Sequence, residues 1–175
     1  MAEKIIILSG KQYSGKDTVA KILLEVLKNF RRIGLGDAIK LEYGEKKGLS
    51  LDEIEANKHV YRPDLIELGN SRRSQDKDYW IKKVISMPGN IIVPDVRVKR
   101  ELEFFKDANA YKIRVESDIE KRALRGKLSS ADDLTETDLD DVSDWDFVIE
   151  NNSSYEDLLK NTQDLLVEIK KYFSL

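Results

Sequence analysis

The chain has no cysteine, one histidine (His59) and three prolines in 175 residues. The missing cysteines exclude a disulfide framework, a thiol nucleophile and any cysteine-based zinc or iron–sulfur centre. A single histidine excludes a multi-histidine metal site. A Ser-His-Asp relay would have to run through His59 alone, and nothing around it is arranged for one. Long hydrophobic runs are missing too. Ile5-Ile6-Ile7-Leu8 is far too short to span a bilayer and lacks the apolar core and cleavage site of a secretory signal. Nor is there an excess of one charge: 30 Lys+Arg face 33 Asp+Glu, for a net −3, with no block of like sign. A general electrostatic grip on a nucleic acid polymer is therefore not expected. The expectation is a soluble cytoplasmic protein, monomer or homodimer, with neither membrane nor nucleic acid as partner.

What the chain does have is 41% apolar residues, enough for a core, in a length that suits one domain spanning 1–175. Chemistry is left to carboxylates, lysines, arginines, backbone amides or a bound metal ion. Short apolar runs alternate with amphipathic stretches. The run at 5–8 is a β-branched buried-strand signature closed by Ser9-Gly10. Val19, Ile22, Leu23, Val26, Leu27 and Phe30 then share a helical face. A second strand is expected over 32–35, ended by Gly36-Asp37, a third at 91–93, a fourth at 111–115 and a fifth at 146–150. Residues 37–86 read as mostly helical, with a capping box at Ser50 and Glu53 and Pro63 in the first turn of a helix. Ser117 and Glu120 have the same capping spacing, and a long helix closes the chain through Phe173. Strand–helix alternation implies an α/β fold with a mainly parallel sheet covered on both faces. Two segments, about 37–86 and about 122–144, interrupt it and are expected over the carboxyl edge, where ligands bind.

The sharpest signal is Gly10-Lys11-Gln12-Tyr13-Ser14-Gly15-Lys16-Asp17-Thr18. It fits G-x-x-x-x-G-K between a hydrophobic strand and an amphipathic helix. Such a turn aims successive backbone N–H groups inward as an anion nest, and the helix beginning at Gly15-Lys16 adds its positive end. Lys16 can follow the β- and γ-phosphates. The position after the lysine, commonly Ser or Thr, is Asp17 here, with Thr18 next. A carboxylate is also a hard oxygen ligand, so Mg²⁺ could be held by Asp17, directly or through water, or by Thr18.

A phosphate loop alone defines binding and not a reaction. Asp95-Val96-Arg97 follows the third strand, at the edge where Gly10 also emerges. Asp95 there can hold Mg²⁺ or orient an acceptor, and the planar fork of Arg97 suits an acceptor phosphate. Lys40, Arg62, Arg72 and Arg73 belong to the helical insert. Arg62 and Arg73 are separated by close to three helical turns and can share a face. Arg122 and Arg125 lie one turn apart before the polar segment, as suits a lid that brings positive charge over a transferring phosphoryl group. Any one of these arginines alone would pass for a solvated partner of the acids.

The loop Gly10-Lys11-Gln12-Tyr13-Ser14-Gly15-Lys16-Asp17-Thr18 resembles that of P-loop deoxynucleoside monophosphate kinases of the phage and bacterial type. The resemblance continues in Leu65-Ile66-Glu67-Leu68-Gly69-Asn70-Ser71-Arg72-Arg73, in Pro94-Asp95-Val96-Arg97 and in Asp146-Phe147-Val148-Ile149-Glu150-Asn151-Asn152. The same landmarks are similar to animal-type phosphomevalonate kinase, which also has Gly-Lys-Asp in its loop. The resemblance implies a five-stranded nucleoside-monophosphate-kinase fold, with the insert holding the acceptor and a short lid at about 122–138. It implies ATP as donor and Mg²⁺ as cofactor. By position it marks Lys16, Asp95, Arg97, Arg73 and Arg125. Taken with the spacing above, the candidate sets are Lys16, Asp95, Arg97 and Arg125 at the reaction, Gly10, Lys11, Ser14, Gly15, Lys16, Asp17, Thr18 and Arg122 around ATP, and Lys40, Arg62, Arg72, Arg73 and Arg97 around the acceptor. Val98-Lys99 replaces the Phe-Pro that often follows the arginine in the nucleotide kinases.

The sequence reading is thus a kinase that moves the ATP γ-phosphoryl group onto a small phosphomonoester, with a (deoxy)nucleoside monophosphate as preferred acceptor. One alternative is the same reaction on mevalonate 5-phosphate. Another is a non-catalytic module that only binds ATP.

Overall fold

The computed structural model describes residues 1–128 and 133–175. In chain order the elements are β1 (Ala2–Ser9), α1 (Lys16–Val26), β2 (Phe30–Arg32), α2 (Leu35–Lys47), α3 (Leu51–Ala56), α4 (Lys58–Gln75), α5 (Tyr79–Ser86), β3 (Gly89–Val93), α6 (Lys99–Asp107), β4 (Tyr111–Glu116), α7 (Ile119–Arg125), α8 (Leu134–Thr137), β5 (Phe147–Glu150) and α9 (Tyr155–Phe173). The five strands form one parallel sheet in the order β2-β3-β1-β4-β5. The carboxyl ends of β1 and β3 thus lie side by side at its centre, and the loops that leave them meet there.

The strand alternation sets two cores. Ile6 and Leu8 of β1, Ile92 of β3, and Tyr111, Ile113 and Val115 of β4 point to one face, where α1 and α9 close over them. Ile5, Ile7, Ile91 and Val93 point to the other, against Trp80, Val84, Leu102 and Phe105. A strand buried on both faces gives the uninterrupted apolar run seen at β1. β4 departs from this: its second face carries Lys112 and Arg114, both buried. They look onto the segment after α8, where Lys112 Nζ donates to the Asp144 carbonyl (2.5 Å) and Arg114 Nη2 lies 3.5 Å from Asp140.

Four local expectations are corrected. The helical face read through Phe30 ends at Val26, and Phe30 instead opens β2 and packs on Phe173. The second strand sits two residues earlier than expected. Gly34 is the N-cap of α2, because the Asp37 carboxylate accepts the Gly34 N–H (2.8 Å) and the helix starts at Leu35, which read as strand. Pro63 lies inside α4 rather than in its first turn, on an exposed stretch where water can serve the carbonyl it leaves unbonded. Ser117 does not cap α7. The N-cap is Asp118, and the Ser117 hydroxyl donates to the Asn151 carbonyl (2.7 Å). The capping box at Ser50 and Glu53 forms as expected.

Residues 35–86 fold into α2 to α5, and Leu134–Thr137 is a helical turn within the polar stretch. Residues 129–132 of the expected lid lie outside the described residues. Among the described residues no helix is long and apolar enough to cross a membrane.

Candidate active site

The loop from Gly10 to Lys16 wraps the start of α1, with the Ser14 N–H closing a turn onto the Lys11 carbonyl (3.1 Å). Gly15 has φ +103, and a Cβ there would lie 2.3 Å from Asn151 Nδ2. Only glycine fits that backbone and that contact. Lys16 is buried, its Nζ 3.5 Å from the Lys11 carbonyl, and burial together with Arg97 pulls its pKa below the usual lysine value. The Ser14 hydroxyl is buried with no partner.

Asn151, in the loop after β5, holds this turn from behind. Its Nδ2 donates to the Ser14 carbonyl (2.8 Å), while its own carbonyl accepts from Ser117 Oγ and from Arg125 Nη2 (2.7 Å each). Replacing Asn151 with alanine leaves a buried carbonyl unpaired. Denaturant unfolding is expected to show a loss of about 1–3 kcal/mol. A loosened loop should also raise KM for ATP more than it lowers kcat.

The wall opposite comes from the loop after β3. Asp95 accepts the Leu35 N–H at 3.1 Å on both oxygens. Burial raises its pKa despite that bond. The carboxylate therefore ties this loop to the start of α2. The Arg97 backbone N–H is held by Glu101 (2.8 Å), and its Nη1 lies 3.3 Å from Glu136 of α8. Arg97, Arg125, Lys16, Asp17 and Thr18 line one cleft of about 440 Å³.

A second cleft, about 520 Å³, opens between α2, α4 and Asp95. Arg32, Lys40, Lys58, Arg62 and Arg73 supply its positive charge and Ile39, Leu65 and Ile66 its apolar wall, and none of the described residues lining it is aromatic. Asp37 organises two of these cations, with Arg32 Nη1 at 2.7 Å and Lys40 Nζ at 3.0 Å. Burial alone would raise the Asp37 carboxyl, but the Gly34 N–H and the Lys40 ammonium hold it below its usual value.

The residues named from the sequence separate accordingly. Lys40, Arg62 and Arg73 meet in the second cleft, and Arg97 lies in the first. Arg72 points away from both. Its guanidinium is spent on the buried Glu42 (Nη2 2.7 Å), which also takes Lys83, Tyr79 and Lys46. Burial opposes the ionised form of Glu42, yet Lys83, Tyr79 and Arg72 hold it well below the usual carboxylate range. Arg122 and Arg125 do not hang over the cleft as free cations. Arg122 donates to the Ser117 carbonyl (3.0 Å) and the Gln12 carbonyl (3.3 Å), and Arg125 to the Tyr13 carbonyl (3.1 Å). Lys11 pairs with Asp140 (2.7 Å).

Among the described residues no three His, Cys, Asp or Glu side chains cluster as a metal cage. Mg²⁺ on a phosphate chain needs only one or two protein oxygens. Asp17 fits that need: its side chain is 72% exposed and its one ion pair, to Arg32, is long at 3.8 Å. Thr18 adjoins it, whereas Asp95 is already committed to α2. Arg32, Lys58, Asn151 and Glu136 went unmarked in the sequence. None belongs to a spacing motif, although Asn151 sits in one of the stretches that carries the family resemblance.

Comparison with known proteins bears on the fold and the family. Residues 8–112, more than half of the chain, match the family model described as phosphomevalonate kinase. A UPF0200/UPF0201 protein of Archaeoglobus fulgidus is 27% identical over 96% of this chain. The chain spans 56% of that curated relative's length. Among solved structures, shikimate kinase from Aquifex aeolicus is similar at TM-score 0.52 and 20% identity, over 95% of this chain and 96% of that one. A gluconokinase from Sinorhizobium meliloti is similar at TM-score 0.54 and 12% identity, over 98% and 95%. At these identities the structural likeness speaks for the fold, a P-loop kinase architecture.

Proposed function

Because the chain belongs to the phosphomevalonate kinase family, we propose that it is a phosphotransferase that moves the γ-phosphoryl group of ATP onto the phosphate of mevalonate 5-phosphate. The observation that carries the choice of acceptor is the makeup of the second cleft. Five cations surround an aliphatic wall with no aromatic surface. A nucleobase gains from stacking on an aromatic ring, and that surface is missing. A short aliphatic chain with a phosphate at one end and a carboxylate at the other suits cations spread around an apolar patch. On this reading the insert of 37–86 holds the acceptor, the segment of about 122–144 covers the reaction, and 1–175 is a single kinase domain.

In this mechanism an oxygen of the acceptor phosphate attacks the γ-phosphorus as the bond to the β-bridging oxygen breaks, giving ADP and a diphosphate. The acceptor oxygen is already ionised, so no general base is required. Positioning and charge neutralisation supply the catalysis. Lys16 and the loop amides hold the donor's β- and γ-phosphates, Arg97 bridges towards the acceptor, and Arg73, Arg62, Arg32 and Lys40 hold it in place. Asp17, with Thr18 beside it, would hold a Mg²⁺ ion, which would supply neutralisation of the phosphate charge.

The test is ADP release with ATP and Mg²⁺ against a panel of acceptors. Mevalonate 5-phosphate is expected to drive release, and Arg73→Ala to raise its KM about tenfold or more with the KM for ATP unchanged, since a charge-assisted phosphate contact contributes about 1.5–3 kcal/mol. Release with (deoxy)nucleoside monophosphates alone would move the assignment to nucleotide kinases. Release with none of them would favour a module that only binds ATP.

A further inference from the structure

Glu136 of α8 reaches back onto the loop between β1 and α1. Its Oε2 accepts the Gln12 N–H (2.9 Å), an amide of the phosphate loop, and its Oε1 lies 3.3 Å from Arg97 Nη1. The side chain is only 5% exposed, although it comes from a four-residue helix in an acidic, largely solvated stretch. The Lys16 ammonium feels its charge as well. One carboxylate thus engages the loop amide and the arginine expected to face the acceptor. The segment is pinned there by its neighbours: Asp140 holds Lys11 (2.7 Å), Asp138 accepts the Lys99 N–H (2.7 Å), and Asp141 holds the Lys99 ammonium (2.7 Å). Charge-assisted bonds of this kind are the strong ones, and an anion nest does not distinguish a carboxylate oxygen from a phosphate oxygen by charge.

We infer that Glu136 is an internal phosphate mimic that competes with the donor for the phosphate loop, so that ATP binds by displacing it. The inference rests on the reading of Gly10–Lys16 as the ATP site and adds the control of that site. Its energetics are those of a binding-competent fraction: if the carboxylate occupies the loop nine-tenths of the time, apparent affinity is about tenfold weaker than intrinsic affinity. Because the same carboxylate also engages Arg97, a donor that displaces it frees the arginine for the acceptor. The two substrates then help each other bind through the released arginine.

Equilibrium binding of a non-hydrolysable ATP analogue with Mg²⁺, without acceptor, separates the possibilities. Glu136→Gln is expected to bind about tenfold tighter than the wild-type chain. Glu136→Asp keeps the charge but draws the carboxylate back by one methylene, and should also bind tighter. It carries the same expectation should the glutamine variant fail to fold. Lys16→Ala is the control for the site itself. Binding that is lost in Lys16→Ala but unchanged or weaker in both Glu136 variants overturns the mimic and leaves the ATP site standing. No binding by any of the proteins overturns both. A purely structural role for Glu136 would weaken binding, the opposite direction.

Discussion

Lys16→Ala is expected to lower kcat for ADP release by about 10²–10³-fold, the range seen when one preorganised donor to a developing charge is removed. The basis is the side chain's position. Lys16 is the first residue of α1, buried, with its ammonium turned back over the loop towards the Lys11 carbonyl rather than out to solvent. A charge held in place before the reaction costs no reorganisation as negative charge moves onto the β–γ bridging oxygen. Burial lowers its pKa, so the site already bears the cost of desolvating this cation, and bound phosphates would return that cost as attraction. Lys16→Arg is not a conservative control, because a planar fork does not fit a nest shaped for a compact ammonium. Steady-state ADP release, with folding of the variant checked by its thermal transition, measures the effect. Retention of a tenth or more of the activity would remove Lys16 from the transfer step.

Arg97→Ala should cost about 10³-fold in kcat/KM, at the lower end of what a transition-state arginine contributes in phosphoryl transfer. Arg97 is the one guanidinium lining the first cleft that is not anchored on a carbonyl of the phosphate loop, as Arg125 is through Tyr13. Its backbone is fixed by Glu101, while among the described residues its tip is paired with Glu136, at 3.3 Å. A ligand that displaces Glu136 leaves that tip free to bridge donor and acceptor. Affinity for an ATP analogue should survive the change or improve, because Glu136 loses a partner. The expected signature is therefore a collapse of turnover with donor binding retained. Parallel losses of binding and turnover would instead mark Arg97 as part of the donor site.

The sheet was readable because β1 and β3 are buried on both faces and so appear as continuous apolar runs. β2 was misplaced because the cap formed by Gly34 and Asp37 overlaps Ile33 and Leu35, which look like strand. The phosphate loop was readable because its chemistry is a spacing. The arginines were not, because their roles depend on direction in space. Arg72 and Arg73 are neighbours on α4 and project about 100° apart. One therefore enters the cleft and the other meets Glu42, a distinction no local pattern encodes. Arg32 gains its place only when Asp37 and Asp95 bring the end of β2 to the insert. Glu136 stands among many acids, and nothing in that stretch marks which one turns inward.

The two tryptophans fall on different walls of the molecule. Trp80 is buried in the insert, its indole N–H on the Gly69 carbonyl (3.2 Å). Trp145 follows the acidic segment, its N–H on the Val142 carbonyl (3.0 Å) and its ring 5.7 Å from the Arg114 guanidinium that also reaches Asp140. The protein therefore carries one tryptophan in the insert and one beside the acidic segment. Emission recorded from Trp145 in a Trp80→Phe background would report the acidic segment, and the reverse pair would report the acceptor side. A change of environment at either wall when ATP or an acceptor is added is thus accessible to stopped-flow optics without a label.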